Sequence, residues 1–219
     1  MVIGITNLKG GVGKSTISQN LAVGLVLKGY KVCVLDTDTE QRSSMKWAGQ
    51  REANLPHISV IGIEGDQINK EAKYQEQNHD IVIIDGSPQL AKTQTKTLTA
   101  SDVLLIPISP SSLDFWSMEQ FLERYEQVRE AKGEGIKAYV LLNKTTGKTN
   151  LEKEVLGELG KMSVGILETK LADRIAYREA PINGLGVIEY KDPKAKEEAV
   201  RLTDEIENII KNFNNNKAE

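Results

Sequence analysis

Short runs that are apolar at nearly every position recur along the chain: "VIGIT", "KVCVLD", "HISVIGI", "DIVIIDG", "DVLLIPIS" and "KAYVLLNK". A strand with one wet face alternates apolar and polar residues, so runs without alternation read as strands covered on both faces. Between them lie segments of helical period: "STISQNLAVGLVLKG", then residues 45–51, 67–77, 93–99 and 114–131. This βαβ rhythm predicts an α/β fold with a mostly parallel, doubly wound sheet flanked by helices. The last third is less sheet-like, with helices expected at 150–160, 172–177 and 194–213 and a short apolar run, "SVGIL".

Nothing in the composition divides the chain. Its 219 residues, 39% hydrophobic and 27% charged, read as one domain spanning 1–219, and that length buries a sizeable core. A net charge of −3 excludes neither nucleic acid nor protein as partner, because a local basic face can exist on an acidic protein. Cys33, the only cysteine, sits in "VCVL" and reads as a buried strand residue. No basic segment followed by an apolar signal core opens the sequence, and no run of about 18 apolar residues occurs, so a cytoplasmic protein is expected.

The first apolar run passes directly into "NLKGGVGKST" and then a helical segment. A glycine-rich turn between strand and helix gathers backbone N–H groups and the positive end of a helix dipole around one small space, which suits phosphate. Gly10, Gly11 and Gly13 let the backbone approach phosphate oxygens, with Val12 between them. Lys14 would reach the β- and γ-phosphates, Ser15 would offer its hydroxyl to Mg²⁺, and Thr16 would sit near the α-phosphate. The usual pattern GxxxxGK[ST] has glycine where this chain has Leu8, so the motif is a variant carrying a second lysine, Lys9. Two further apolar runs end in carboxylates, "VLDTDTEQ" with Asp36 and Asp38 and "DIVIIDGSP" with Asp85, as a fold that binds ligands at the carboxyl ends of its strands requires.

With these motifs the chain resembles the deviant Walker A family of P-loop ATPases, in its small ParA subgroup. The resemblance implies a switch that binds ATP or ADP with Mg²⁺ and forms a homodimer with ATP. Lys9 matches the signature lysine that reaches across the dimer into the partner's nucleotide, so Lys9 and Lys14 are both catalytic. Asp38 would position the attacking water, Asp36 would lie close to the magnesium shell, and Asp85, resembling Walker B, would hold Mg²⁺ through a water. Thr39 replaces the proline of the family's DxDPQ element and Glu40 is inserted before Gln41, so no role is carried over to Gln41. Helix capping by Asp38 or Thr39 is the plainer reading of that stretch. Asn143, in "LLNK", matches a position that hydrogen-bonds adenine. Phe115 and Trp116, in "PSSLDFWS", are either interface anchors or core residues.

The resemblance further implies non-specific DNA as partner and nucleoid association. A ParB-type centromere-binding or cargo-adaptor protein would stimulate hydrolysis, and the outcome would be plasmid or chromosome partition. Lys137, Lys144, Lys148, Lys153, Lys170, Arg174 and Arg178 either form a basic face for DNA or are scattered solvated charges. Two alternatives share the phosphate motifs: a MinD-like membrane-positioning ATPase, and a ParA-type positioner of a protein cargo. No membrane partner is expected, because the polar face of the last helix mixes glutamates with lysines and its end, "NFNNNKAE", lacks the aromatic and basic pattern that lipid favours.

Overall fold

The computed structural model describes residues 1–87, 91–110, 115–133, 135–147 and 150–218. Seven parallel strands, β1 (Val2–Ile5), β2 (Val32–Asp36), β3 (Ser59–Gly62), β4 (Ile81–Asp85), β5 (Val103–Ile108), β6 (Lys137–Leu142) and β7 (Gly165–Ile166), form one sheet in the order β3-β2-β4-β1-β5-β6-β7. Between and after them run helices α1 (Lys14–Leu27), α2 (Ser43–Gly49), α3 (Ile68–Gln75), α4 (Ala91–Ala100), α5 (Phe115–Ala131), α6 (Asn150–Leu159), α7 (Ala176–Glu179) and α8 (Pro193–Ala218). The expected doubly wound sheet is therefore present.

Every residue of β1, β2, β4 and β5 is buried, whereas the edge strand β3 is only half-buried. The two-residue period of a strand explains how. Ile3, Ile5, Val34, Ile83 and Leu105 point to one face and join Ile17 and Leu21 of α1 and Leu202, Ile206 and Ile210 of α8. Cys33, Leu35, Val82 and Ile84 point to the other face against Ile68 and Ala72 of α3, beside a cluster built from Leu104, Ile106, Val140 and Leu142 with α5 and α6. Burial pushes the Cys33 thiol up to about 12, so it stays protonated and packs as an apolar group.

The C-terminal region departs from expectation in three places. "SVGIL" supplies β7, which pairs with Tyr139 and Val140 and lengthens the sheet. Residues 172–174 are not helical, because Leu171 N–H donates to Leu142 O, Thr145 N–H to Leu171 O, and Asp173 N–H to Thr145 O. Backbone committed to that pairing cannot also form helical bonds, and α7 starts only at Ala176. The last helix also begins earlier and ends later than 194–213. Asp192 Oδ1 accepts from the N–H groups of Lys194 and Ala195, which caps α8 with Pro193 at its first position, and the helix continues to Ala218.

Helix α8 lies close against α1. A Cβ at Gly24 would come within 2.1 Å of Thr203 Oγ1, so the glycine is what lets the two helices approach. At the far end of α1, Lys28 and the Tyr30 hydroxyl donate to Glu207, and Lys211 pairs with the same carboxylate. Lys28 first, then Lys211 and Tyr30, hold the Glu207 carboxyl down at about 2 from its ordinary 4.5. A carboxylate depressed by folding adds stability above its unfolded pKa and loses it as the pH falls toward its folded pKa. Glu207→Gln should therefore melt below the wild type at pH 7, and the difference should shrink between pH 4.5 and pH 2 in thermal unfolding curves. A gap that stays constant across that window would show that the carboxylate charge is not what joins α8 to α1.

Candidate nucleotide site

Parallel pairing places Asp85 beside Ile5 on one side and Asp36 on the other, so the carboxyl ends of β1, β2 and β4 meet at one point. The strand order reverses around β1, where a doubly wound sheet opens its crevice. A cavity of about 300 Å³ opens there, between the glycine loop, Asp38, Gln41 and Asp85 at one end and Asn143, Lys144 and residues 172–174 and 177–178 at the other.

The loop is held open from outside. Gly13 takes φ +94° as it enters α1, and Gly11 takes φ +73°. Asn143 Nδ2 donates to Val12 O at 2.7 Å and Lys144 Nζ donates to Gly11 O at 2.6 Å. Asn7 ties the start of the loop to β5: its Nδ2 donates to Pro107 O and its Oδ1 accepts Lys9 N–H. Helix α1 has no side-chain cap and no acid in its first turn, so its dipole and leading N–H groups remain available to an anion.

Lys14 is buried and donates through Nζ to Lys9 O at 2.7 Å. Desolvation lowers its ammonium to about 8, against the opposing pull of Asp85 and Asp38, so it is still charged at neutral pH. Asp85 is more deeply buried, and burial raises its carboxyl to about 6 even though it accepts a 2.7 Å hydrogen bond from Ser44 Oγ on Oδ2 and is lowered further by Ser15 and Lys14. Its other oxygen, Oδ1, is buried with no hydrogen-bond partner among the described residues. An orphaned carboxylate oxygen next to a serine hydroxyl fits the all-oxygen donor set of a hard divalent cation.

The two carboxylates after β2 differ in use. Asp36 Oδ1 accepts Asp38 N–H, and its Oδ2 accepts the N–H groups of Ser44 and Met45, so it caps α2 and braces the turn. Both Asp36 oxygens accept backbone donors, and beside it on β4 the orphaned oxygen belongs to Asp85. Burial still raises the Asp36 carboxyl, opposed by those three donors. Asp38 accepts from Glu40 and Gln41 N–H while lining the cavity; both donors precede α2, so Asp38 closes the turn and does not cap the helix as the plainer reading expected.

Reading the sequence missed Ser44, Gln41, Asn7, Lys144 as a loop brace, and Thr37, which donates to Asp85 O and accepts Ser87 N–H. Asn7 and Lys144 flank recognised motifs, which is the one local signal they give. Among the expected DNA-facing residues, Lys144 is engaged with the loop, Lys170 pairs with Glu152, Arg174 with Glu198 and Arg178 with Asp173. Lys137 and Lys153 are exposed. Lys148 and the side chains of Phe115 and Trp116 lie outside the described residues.

The sequence profile of the CobQ/CobB/MinD/ParA nucleotide-binding domain matches residues 3–188. The chain belongs to that family. It is a P-loop ATPase of the ParA/MinD type, and its relatives include proteins named for carboxysome distribution and for chromosome partitioning. The maintenance of carboxysome distribution protein A of Halothiobacillus neapolitanus is 31% identical over 85% of this chain and 86% of that protein. The sporulation initiation inhibitor protein Soj of Bacillus subtilis is 27% identical over 92% and 95%. Among solved structures, the septum site-determining protein MinD from Pyrococcus horikoshii, complexed with Mg-ADP, superposes with a TM-score of 0.78 at 17% identity and covers 97% of this chain and 98% of that one.

The bracing of the loop predicts opposite outcomes for two neighbouring glycines. A Cβ at Gly13 would meet Asn143 Nδ2 at 2.2 Å at a positive φ, whereas Gly10 has open space around it. Gly13→Ala should cost about 1–3 kcal/mol in urea unfolding, and Gly10→Ala should stay within about 0.5 kcal/mol of wild type.

Proposed function

We propose that this protein is an ATP-dependent switch that dimerises on ATP, binds DNA without sequence preference, and partitions a plasmid or chromosome with a ParB-type cargo-bound partner that stimulates hydrolysis. The observation that carries the reading is one loop with two lysines in different positions. Lys14 lines its own cavity and bonds to the Lys9 carbonyl, while Lys9, anchored through its backbone to Asn7, is half-buried and does not line that cavity.

In this reading the N–H groups of residues 10–16 and the Lys14 ammonium bind the phosphates, and Thr16 closes the phosphate end. Asn143 serves the site through the loop it braces. Ser15 and Asp85 are the groups that would hold Mg²⁺, which when bound offsets phosphate charge. Asp38, at the rim of the cavity, orients the attacking water. Lys9 acts in the partner's site, where a second cation supplied in trans stabilises the charge that spreads over the transferring phosphoryl group. Dimerisation and hydrolysis are then coupled, because each site is completed by the other subunit.

Helix α8 favours this over a membrane-positioning role. Ala195, Ala199, Leu202, Ile206, Ile210 and Phe213 are buried in the core cluster that includes α1, so the apolar face that lipid needs is already covered. A protein cargo is the second reading, favoured by the similarity to the carboxysome distribution protein. It shares the nucleotide cycle and differs in what the partner is attached to.

The test is sedimentation with ADP and with a slowly hydrolysed ATP analogue, each with and without non-specific duplex DNA at low salt. A dimer formed only with the ATP analogue that pellets with DNA, and is released as salt rises, is the expected result. A dimer that ignores DNA would remove the partition reading. Lys9→Ala should bind the ATP analogue as a monomer, and normal dimerisation by this variant would overturn the in-trans role. Asp38→Ala should still dimerise with ATP while its turnover, followed by phosphate release, falls by about 10²-fold.

A further inference from the structure

Glu198 lies on α8, outside every motif of the phosphate end, yet its side chain is only 8% exposed. Its Oε1 accepts Arg174 Nε at 3.0 Å and Nη2 at 2.7 Å. Its Oε2 accepts the Tyr177 hydroxyl at 3.2 Å and Ala172 N–H at 3.3 Å. A buried carboxylate is tolerated where it is paired and hydrogen-bonded, and every one of these donors comes from a single stretch, residues 172–177.

That stretch is the far wall of the cavity. Ala172, Arg174 and Tyr177 all line it, opposite Lys14, Ser15 and Thr16. The glycine loop and the start of α1 supply donors suited to phosphate, so the nucleoside of a bound nucleotide extends toward residues 143–144 and 172–178. The wall is otherwise held by the burial of Leu171, Ala176 and Tyr177 in the core and by a few backbone bonds. Thr145 exchanges backbone bonds with Leu171 and Asp173, and Arg178 pairs with Asp173 within the wall itself. Without Glu198, Arg174 loses the acceptor that sets its direction, and the Tyr177 hydroxyl keeps only the longer bond to Ala195 O at 3.4 Å.

We propose that Glu198 is a positioning residue that sets the nucleoside wall of the cavity, so that affinity for a nucleotide, as distinct from its phosphates, depends on the docking of α8. The inference rests on the nucleotide-site reading above. The coupling is reciprocal: whatever strengthens nucleotide binding through this wall also strengthens the seat of α8, by linkage.

The test compares two ligands on the full chain, Mg-ATP and Mg-tripolyphosphate, by titration calorimetry. Tripolyphosphate engages the glycine loop but has nothing to place against the wall. Glu198→Ala should weaken ATP by about tenfold, the size of one charge-assisted hydrogen bond, and leave tripolyphosphate within about twofold of wild type. Its KM for ATP should rise while kcat stays near wild type, since no reacting atom is touched. Glu198→Gln keeps an oxygen for Arg174 but turns an NH₂ toward Tyr177 and Ala172, and its ATP loss should fall between wild type and alanine. It also carries the same ratio of affinities should the alanine variant not fold. Equal losses for both ligands in the glutamine variant would reduce Glu198 to a purely structural contact and overturn the proposal, as would unchanged ATP affinity. A wild-type protein that binds tripolyphosphate and ATP equally well would overturn it while leaving the phosphate site standing. One that binds neither would remove the nucleotide reading itself.

Discussion

The parallel register of β1, β4 and β2 fixes Asp85 between Ile5 and Asp36, and the arrangement of the cavity follows from it. Three buried strands end level with one another, so the glycine loop, the turn at 36–42 and the Asp85 carboxylate converge without any one of them being long. The convergence has an electrostatic cost. Burial raises Asp85 and Asp36 and lowers Lys14, each disfavouring its own charge. The protein offsets it with fixed dipoles, through the α2 N–H groups on Asp36, the Ser44 hydroxyl on Asp85 and the Lys9 carbonyl on Lys14. Asp85 Oδ1 is left without a hydrogen-bond partner among the described residues, where a divalent cation fits.

Several parts of this were legible in the sequence for definite reasons. Central strands buried on both faces must be apolar throughout, which is why "VLLIPI" and "IVIID" announce themselves and the half-buried edge strand β3 does so less clearly. The glycine loop was legible because few residue types permit its backbone and because it stands between a strand and a helix. Asp36 shows where such reading runs short. Its position at a strand end marks it as part of the site, but that its oxygens brace the N-terminus of α2 depends on how the chain turns after Asp38, and the sequence does not state that. Asn143 and Val12 are 131 positions apart, and no local pattern links an amide to a carbonyl at that distance. The β7 pairing and the extended path at 171–173 were hidden for a related reason, since two-residue strands carry too short a pattern to stand out.

The last helix joins the two sides of the molecule. Its apolar face completes the core over α1, Gly24 allows the close crossing, and Glu207 and Glu198 engage partners at opposite ends of the contact. The phosphate-binding helix and the far wall of the cavity are thus seated on the same element, and a change in the tilt of α8 is felt at both ends of a bound nucleotide.

The braces on the glycine loop have a kinetic consequence. In a planar peptide the carbonyl and the following N–H point in opposite directions. Asn143 and Lys144, by drawing the Val12 and Gly11 carbonyls toward the end of β6, turn the N–H groups of Gly13 and Val12 the other way before any ligand arrives. These two peptides are thus fixed by side chains at the end of β6, so filling the cavity does not wait for the loop to order itself.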